Sequence, residues 1–281
     1  MCSIIGYSGK ISAAPFLVSG LSKMEYRGYD SVGISTINDG VISVQKDIGK
    51  VSSVNESLHL DEMLGNIGIG HTRWATHGTV TAKNAHPHIS NSSKISLVHN
   101  GIITNYSDLK SELSSKNYEF SSDTDSEVIV NLIEYYFEKS FDPLQAVLES
   151  LSRLEGHFSF IVLFSDGTII SVKFHEPLIV GVSSESYYFS SDVLGFINNT
   201  DNAIFLENKN IAVCDKTGLS IYDFSGKKIS LPITKISTKF SQLNKEHFAH
   251  YTIKEINEQT TLCNDSFENE IKQTANLIQT A

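Results

Sequence analysis

Cys2 follows the initiator methionine in the opening string Met1-Cys2-Ser3-Ile4-Ile5-Gly6, so removal of Met1 leaves a thiol on the terminal residue. Such a residue holds a nucleophile and a base together. A free α-amine titrates near ~7.7–8.0 and a free thiol near ~8.5, close enough for the amine to take the thiol proton directly or through one water. That is the working principle of an N-terminal nucleophile. The same cysteine could instead be a small buried residue at the start of a strand. Four polar clusters downstream carry more side-chain chemistry than turns require: Arg27-Gly28, Arg73 to Gly78, Asn100-Gly101 and Asp123 to Asp125. Each has a plainer reading by itself. Arg27 could sit at a helix C-terminus, Asp125 in a helix first turn, and Asn100-Gly101 in a turn after a strand.

Composition narrows the classes. With 281 residues, 40% of them hydrophobic, the chain can bury a substantial core, and its length suits one large domain or a domain with an appendage. A formal net charge of -10 with no Lys/Arg block would repel a polyanion, so nucleic acid is not an expected partner. Cys2, Cys214 and Cys263 are too few and too scattered for a disulfide framework, which points to a reducing interior. No signal-like segment opens the chain, and the longest apolar stretch, Phe158 to Phe164, is far short of a membrane span. The expected location is the cytoplasm, without a membrane partner.

Several elements must position these residues. Ala14, Leu17, Val18, Leu21 and Met24 recur at helical spacing, so residues 12–25 read as an amphipathic helix after an opening strand. Residues 31–37 and 41–46 read as strands joined at Asn38-Asp39-Gly40, where Asp-Gly suits a tight hairpin turn. A strand from Ile67 to His71 leads into a long loop over residues 72–79, and a strand from Ile95 to Val98 is closed by His99-Asn100-Gly101. Residues 105–116 form a weak helix. A stronger one carries Val128, Ile129, Leu132, Ile133, Tyr136 and Phe137 on one face, with Ser122 to Asp125 as N-cap and first-turn residues. Asp142-Pro143 opens another helix that Gly156 ends. From Phe158 to about Leu231, short β-rich runs separated by turn residues read as stacked hairpins. Strands, then helices, then strands suggest two antiparallel sheets packed face to face with helices outside.

Taken with Cys2, the polar clusters resemble the class II glutamine amidotransferases of the N-terminal nucleophile class. Within it the chain is most similar to the glutaminase domain of glucosamine-6-phosphate synthase. The matching strings are Cys2 to Gly6, Leu21 to Gly33, His71 to Gly78, Asn84-Ala85-His86-Pro87-His88, Val98 to Ile103 and Thr124 to Val128, which together cover most of residues 2–130. The resemblance implies an α+β, N-terminal nucleophile hydrolase fold with four αββα layers, filling residues 2–240. It also implies a helical linker or lead-in over residues 241–281, before a sugar-isomerase domain that the chain lacks.

The implied reaction is hydrolysis of L-glutamine to glutamate and ammonia. Cleaving a side-chain amide needs a nucleophile, an oxyanion hole and a handle that distinguishes glutamine from other amides. By the resemblance Cys2 is the nucleophile, forming a γ-glutamyl thioester, and its own amine is the base and then the acid. The Asn100 amide and the Gly101 N–H stabilise the oxyanion, while Arg27 and Gly28 support the nucleophile. Arg73, Thr76 and His77 take the α-carboxylate, Asp125 takes the α-ammonium, and Trp74 gates ammonia passage. Trp74 by itself could also be a core or lid residue.

No cofactor is expected. His71, His77, His86, His88 and His99 could suggest a metal cluster, yet no H-E-x-x-H or Cys/His ligand spacing is present. The ammonia acceptor would be a sugar-isomerase domain or a separate subunit that binds fructose 6-phosphate, and a homodimer is compatible with the resemblance. Lys173-Phe174-His175-Glu176-Pro177-Leu178 departs from the family, which usually has an Arg and a Ser-Pro-Leu there. A second reading keeps the fold as a glutamine-binding or regulatory protein without turnover; it predicts a retained Met1 or a blocked terminus.

Overall fold

The computed structural model describes residues 2–75 and 78–236, together with residues 253, 254, 256, 257 and 259. Two units are distinguished, Met1–Ile236 and Ser237–Ala281. Most of the helical lead-in expected over 241–281 lies outside the described residues.

The first unit begins with β1 (Ser3–Ser8), α1 (Ala13–Met24), β2 (Ser31–Asn38), β3 (Val41–Ile48), α2 (Val51–Leu58) and β4 (Ile67–Arg73). There follow β5 (His88–Ile89), β6 (Ile95–Ile103), α3 (Tyr106–Ser114), α4 (Ser126–Ser140), α5 (Pro143–Leu151), β7 (Gly156–Phe164) and β8 (Ile169–Phe174). It closes with β9 (Ile179–Val182), β10 (Tyr187–Ser190), β11 (Asn202–Phe205), β12 (Asn210–Asp215), β13 (Gly218–Asp223), β14 (Lys228–Ile229) and β15 (Thr234–Lys235).

Among the described residues these strands form two antiparallel sheets. One has the order β15-β11-β9-β10-β1-β4-β2-β3, the other β14-β13-β12-β8-β7-β6-β5. Alternation of apolar residues along the central strands gives each sheet two buried faces. Ile4, Ile69, Val98, Ile161 and Phe189 pack between the sheets. On the outer face of the first, α1 and α2 bury Leu17, Leu21, Met24, Val51 and Val54 against Ile5 and Ile34. Over the second, α4 and α5 bury Ile129, Leu132, Ile133 and Val147 against Leu97, Phe160 and Val162. The result is the four-layer αββα, α+β arrangement expected of the chain. No helix among the described residues is long and apolar enough to cross a membrane.

The β2–β3 hairpin turns as its sequence requires, with Asp39 at φ 50° and Gly40 at φ 78°. Asp142 caps α5 by accepting from the Gln145 N–H at 3.1 Å, with Pro143 at the first helical position.

Three expectations need correcting. Gly156 does not end α5, which stops at Leu151; with φ 134° it opens β7. The strand that begins at Ile95 does not close at His99-Asn100-Gly101 but runs through them to Ile103, because β7 pairs with it along its whole length. Ser122 to Asp125 do not cap α4 in the ordinary sense: Asp125 occupies the cap position at helical φ −66°, ψ −23° and makes no cap hydrogen bond. Glu127 reaches back to take the N–H groups of Ser121 and Ser122 at 2.9 and 2.7 Å, and the Asp125 carboxylate is spent on the Ile103 N–H at 2.8 Å rather than on the helix. Helix α2 is an element that periodicity does not announce. Its first N–H, that of Val51, is taken by Glu25 Oε1 at 2.7 Å, a cap supplied from 26 residues away.

Candidate active site

Strand β1 lies between β10 and β4 in the interior of its sheet, with Ser3 opposite Thr72. Cys2, one residue earlier, is therefore delivered beside Arg73 and Trp74 at the end of β4. The Trp74 N–H donates to Cys2 Sγ at 3.3 Å, and the thiol donates to the Trp74 carbonyl at 3.5 Å. Burial pushes the Cys2 thiol up, while the Trp74 N–H and the charges of Arg73 and Arg27 pull it back in part. With its pKa raised, the thiol is protonated at neutral pH, so attack by its sulfur requires a base.

Arg27 and Gly28 serve this corner in two ways. Arg27 ends a single 3-10 turn after α1; its Nε donates to the Cys2 carbonyl at 3.3 Å, and its Nη1 lies 3.5 Å from Asp192 Oδ2. Gly28 has a steric role. A Cβ there would come within 2.8 Å of Trp74 N and 2.9 Å of Arg73 C, so only glycine lets the Arg73–Trp74 backbone approach.

Asn100 and Gly101 approach from the second sheet. Asn100 Nδ2 donates to the Cys2 carbonyl at 3.2 Å, so this amide and Arg27 hold the same oxygen. Gly101 takes φ 119°, and a Cβ on it would lie 2.0 Å from the His157 carbonyl oxygen. Both residues border a pocket that Cys2 also lines, together with Ile102, His157 and Glu176. Glu176 belongs to the divergent 173–178 segment, where the His175 ring stacks on His157 with centroids 4.2 Å apart. That departure therefore borders the candidate nucleophile.

A second pocket brings Cys2, Arg73, Trp74, Gly101 and Asp125 together. Arg73 is buried, its Nη1 donating to the Thr79 carbonyl at 3.3 Å. Burial lowers its pKa, while Cys2, Asp125 and Asp30 oppose that shift. Asp125 Oδ2 accepts the Ile103 N–H at 2.8 Å, and Oδ1 accepts from the Ser126 hydroxyl at 3.3 Å. A buried cation and a buried carboxylate in one small pocket match the two ends of an α-amino acid. Trp74 is 42% exposed and its ring meets Tyr29 edge-on with centroids 5.5 Å apart, so it is not a core residue. Thr76 and His77 lie outside the described residues.

Other residues hold this arrangement without having drawn a role from sequence. Asp30 accepts the Ala75 N–H at 2.8 Å and donates its own N–H to the Arg73 carbonyl at 2.9 Å, fixing the chain on both sides of Trp74. It stands in the string Arg27-Gly28-Tyr29-Asp30, a signal that pattern alone could not convert into a contact. The histidines are structural neighbours of one another: His71 stacks on His86 with centroids 4.1 Å apart, and His86 meets His88 at 4.6 Å. His71 Nε2 donates to the His99 carbonyl at 3.1 Å, and His88 Nε2 pairs with the Thr124 hydroxyl at 3.0 Å. Burial pushes His71 down to about 3 and lowers His86, His88 and His99 as well, so all four are neutral at physiological pH.

Comparison with known proteins places this geometry in context. Residues 71–198 match the family model described as a glutamine amidotransferase domain. Over 273 residues, 96% of this chain, the sequence is 41% identical to the glutamine--fructose-6-phosphate aminotransferases [isomerizing] of Clostridium tetani and Clostridium acetobutylicum. The chain spans about 45% of the length of either relative. Among solved structures, the glutamine phosphoribosylpyrophosphate amidotransferase of B. subtilis superimposes with a TM-score of 0.71 at 24% identity, covering 81% of this chain and 50% of that one. That likeness is one of fold. Sequence, fold and the family match agree: the chain carries a glutamine amidotransferase domain with the N-terminal nucleophile hydrolase fold, homologous to part of glutamine--fructose-6-phosphate aminotransferase.

Proposed function

We propose that the chain hydrolyses L-glutamine to glutamate and ammonia at Cys2, and that the ammonia serves conversion of fructose 6-phosphate to glucosamine 6-phosphate on a sugar-isomerase domain or separate subunit. The reaction would run in the cytoplasm. The observation that carries this reading is the single pocket lined by Cys2, Arg73 and Asp125. Arg73, with Thr76 and His77, takes the α-carboxylate, Asp125 takes the α-ammonium, and the side-chain amide then reaches the sulfur.

Once Met1 is removed, the α-amine of Cys2 accepts the thiol proton and the thiolate attacks the carboxamide carbon. The developing oxyanion takes hydrogen bonds from the Asn100 amide and the Gly101 N–H, donors each worth ~10²–10³ in rate in comparable sites. The protonated amine passes its proton to the departing nitrogen, and ammonia leaves. Water then attacks the γ-glutamyl thioester, giving up a proton to the amine while the thiol is restored. Trp74 controls the exit of ammonia, and Arg27 and Gly28 keep Cys2 in register.

Intact mass and N-terminal sequencing, before and after treatment with 6-diazo-5-oxo-L-norleucine, test the reading. Loss of Met1 and a single adduct on Cys2 are expected, with ammonia released from L-glutamine by the untreated protein. Retention of Met1, no adduct and intact glutamine binding would point to a binding protein without turnover.

A further inference from the structure

The string Asn84-Ala85-His86-Pro87-His88 has no place in the chemistry above, yet Asn84 is wholly buried and uses its entire side-chain amide. Its Nδ2 donates to the Thr79 carbonyl at 3.0 Å, the same oxygen that accepts from Arg73 Nη1 at 3.3 Å. On the other side, Asn84 Oδ1 accepts the Asp123 N–H at 3.0 Å, two residues before Asp125. One side chain thus joins the segment that follows Arg73 to the segment that precedes Asp125. Lys46 on β3 holds the segment around Asn84 from behind, its Nζ donating to the Ala85 and Pro87 carbonyls at 2.6 and 2.9 Å and lying 3.5 Å from that of Lys83.

We infer that Asn84, seated by Lys46, is a positioning residue that sets the spacing between Arg73 and Asp125, so that the pocket selects ligands bearing an α-carboxylate and an α-ammonium on one carbon. The inference rests on the glutamine-binding reading of those two residues. A carboxylate and an ammonium on the same carbon lie a fixed distance apart, and two handles can be engaged together only if the protein keeps a matching distance. Either handle alone tolerates a shift that the pair does not.

The test compares L-glutamine with two amides that keep one handle each: glutaramate, which lacks the α-ammonium, and 4-aminobutanamide, which lacks the α-carboxylate. For Asn84→Ala, kcat/KM for L-glutamine should fall on the order of tenfold or more, mostly through KM, while kcat/KM for either one-handled amide changes by less than about threefold. Alkylation of Cys2 by iodoacetamide should proceed at the wild-type rate. An equal fall with all three substrates, or no fall with glutamine, overturns the inference. Lys46→Met should give the same pattern at smaller size, and it decides the matter if Asn84→Ala does not fold. If the wild-type chain releases no ammonia from glutamine, the catalytic reading fails first. Calorimetric binding of L-glutamine then judges the brace: weaker binding to Asn84→Ala than to wild type supports it, and equal affinity, or no binding to wild type, overturns it.

Discussion

Asp125 Oδ2 accepts the backbone N–H of Ile103 at 2.8 Å, which ties the residue before α4 to the end of β6, two positions beyond Gly101. The carboxylate anchors the strand that carries Asn100 and Gly101, the proposed oxyanion donors, and faces the pocket shared with Arg73.

The two duties can be separated by substitution. Asp125→Asn keeps an oxygen for the Ile103 N–H and loses the anion, so KM for L-glutamine should rise about 10–100-fold, as expected for a charge-assisted hydrogen bond of ~1.5–3 kcal/mol, with little change in Tm. Asp125→Ala should add a loss of about 1–3 kcal/mol in unfolding free energy, because the Ile103 N–H is left buried without an acceptor. Steady-state kinetics alongside urea unfolding of both variants measures the split.

Gly28→Ala probes the backbone approach at Trp74. The new methyl would press on Trp74 N from 2.8 Å and on Arg73 C from 2.9 Å, and both are backbone atoms that cannot swing aside. Since a misplacement of about 1 Å can cost 10²-fold in rate, kcat/KM for glutamine should drop by about that factor. Wild-type kinetics in a folded Gly28→Ala protein would show that the approach does not matter.

Asp30 acts through the chain around Trp74. Asp30→Ala leaves the Ala75 N–H without its 2.8 Å acceptor and removes a charge that favours the Arg73 cation. Glutamine KM should rise several-fold up to about tenfold, in line with the loss of one hydrogen bond near ~1 kcal/mol. Asp30→Asn, which retains an oxygen acceptor, should recover much of that loss.

The buried histidines predict an acid limb in stability. Their folded pKa values lie below the unfolded one, so the unfolded chain binds more protons once the pH drops under about 6.5. Their contribution is fully present above that pH and is lost on acidification towards the folded values, about 3 for His71. Each such histidine adds a slope of up to about 1.4 kcal/mol per pH unit. Thermal unfolding followed from pH 7 to 4.5 should show the fall, and His88→Gln, which can still meet the Thr124 hydroxyl, should show a shallower one.

Much of this was legible in the chain itself. Alternating and 3.6-residue apolar patterns place the central strands, α1, α4 and α5, and the strings around Cys2, Arg73, Asn100 and Asp125 hold residues that line two pockets meeting at Cys2. Local pattern misled where a distant group set the outcome. Asn100-Gly101 reads as a turn because Asn and Gly favour turns, but pairing with β7 carries the strand through them. Asp125 reads as a helix cap because Asp favours helix starts, but its carboxylate is claimed by the Ile103 N–H from a strand 22 residues away. The tasks of Asp30, Asn84 and Lys46 are contacts across 45, 39 and 41 residues, and spacing along one chain contains no signal for them.

The position of β1 has a consequence for how the molecule comes into being. Every candidate residue of the site precedes residue 126, so a ribosome releases all of the chemistry in the first half of the chain. Yet β1 acquires its second neighbour only when Tyr187–Ser190 arrives, and the Ile4 N–H waits for the hydroxyl of Ser191 at 3.2 Å. Contacts of such long range close late and slowly. A nascent chain of 130 residues would therefore own every side chain of the proposed glutaminase site and still hold Cys2 beside an unsecured edge strand until some sixty more residues have emerged.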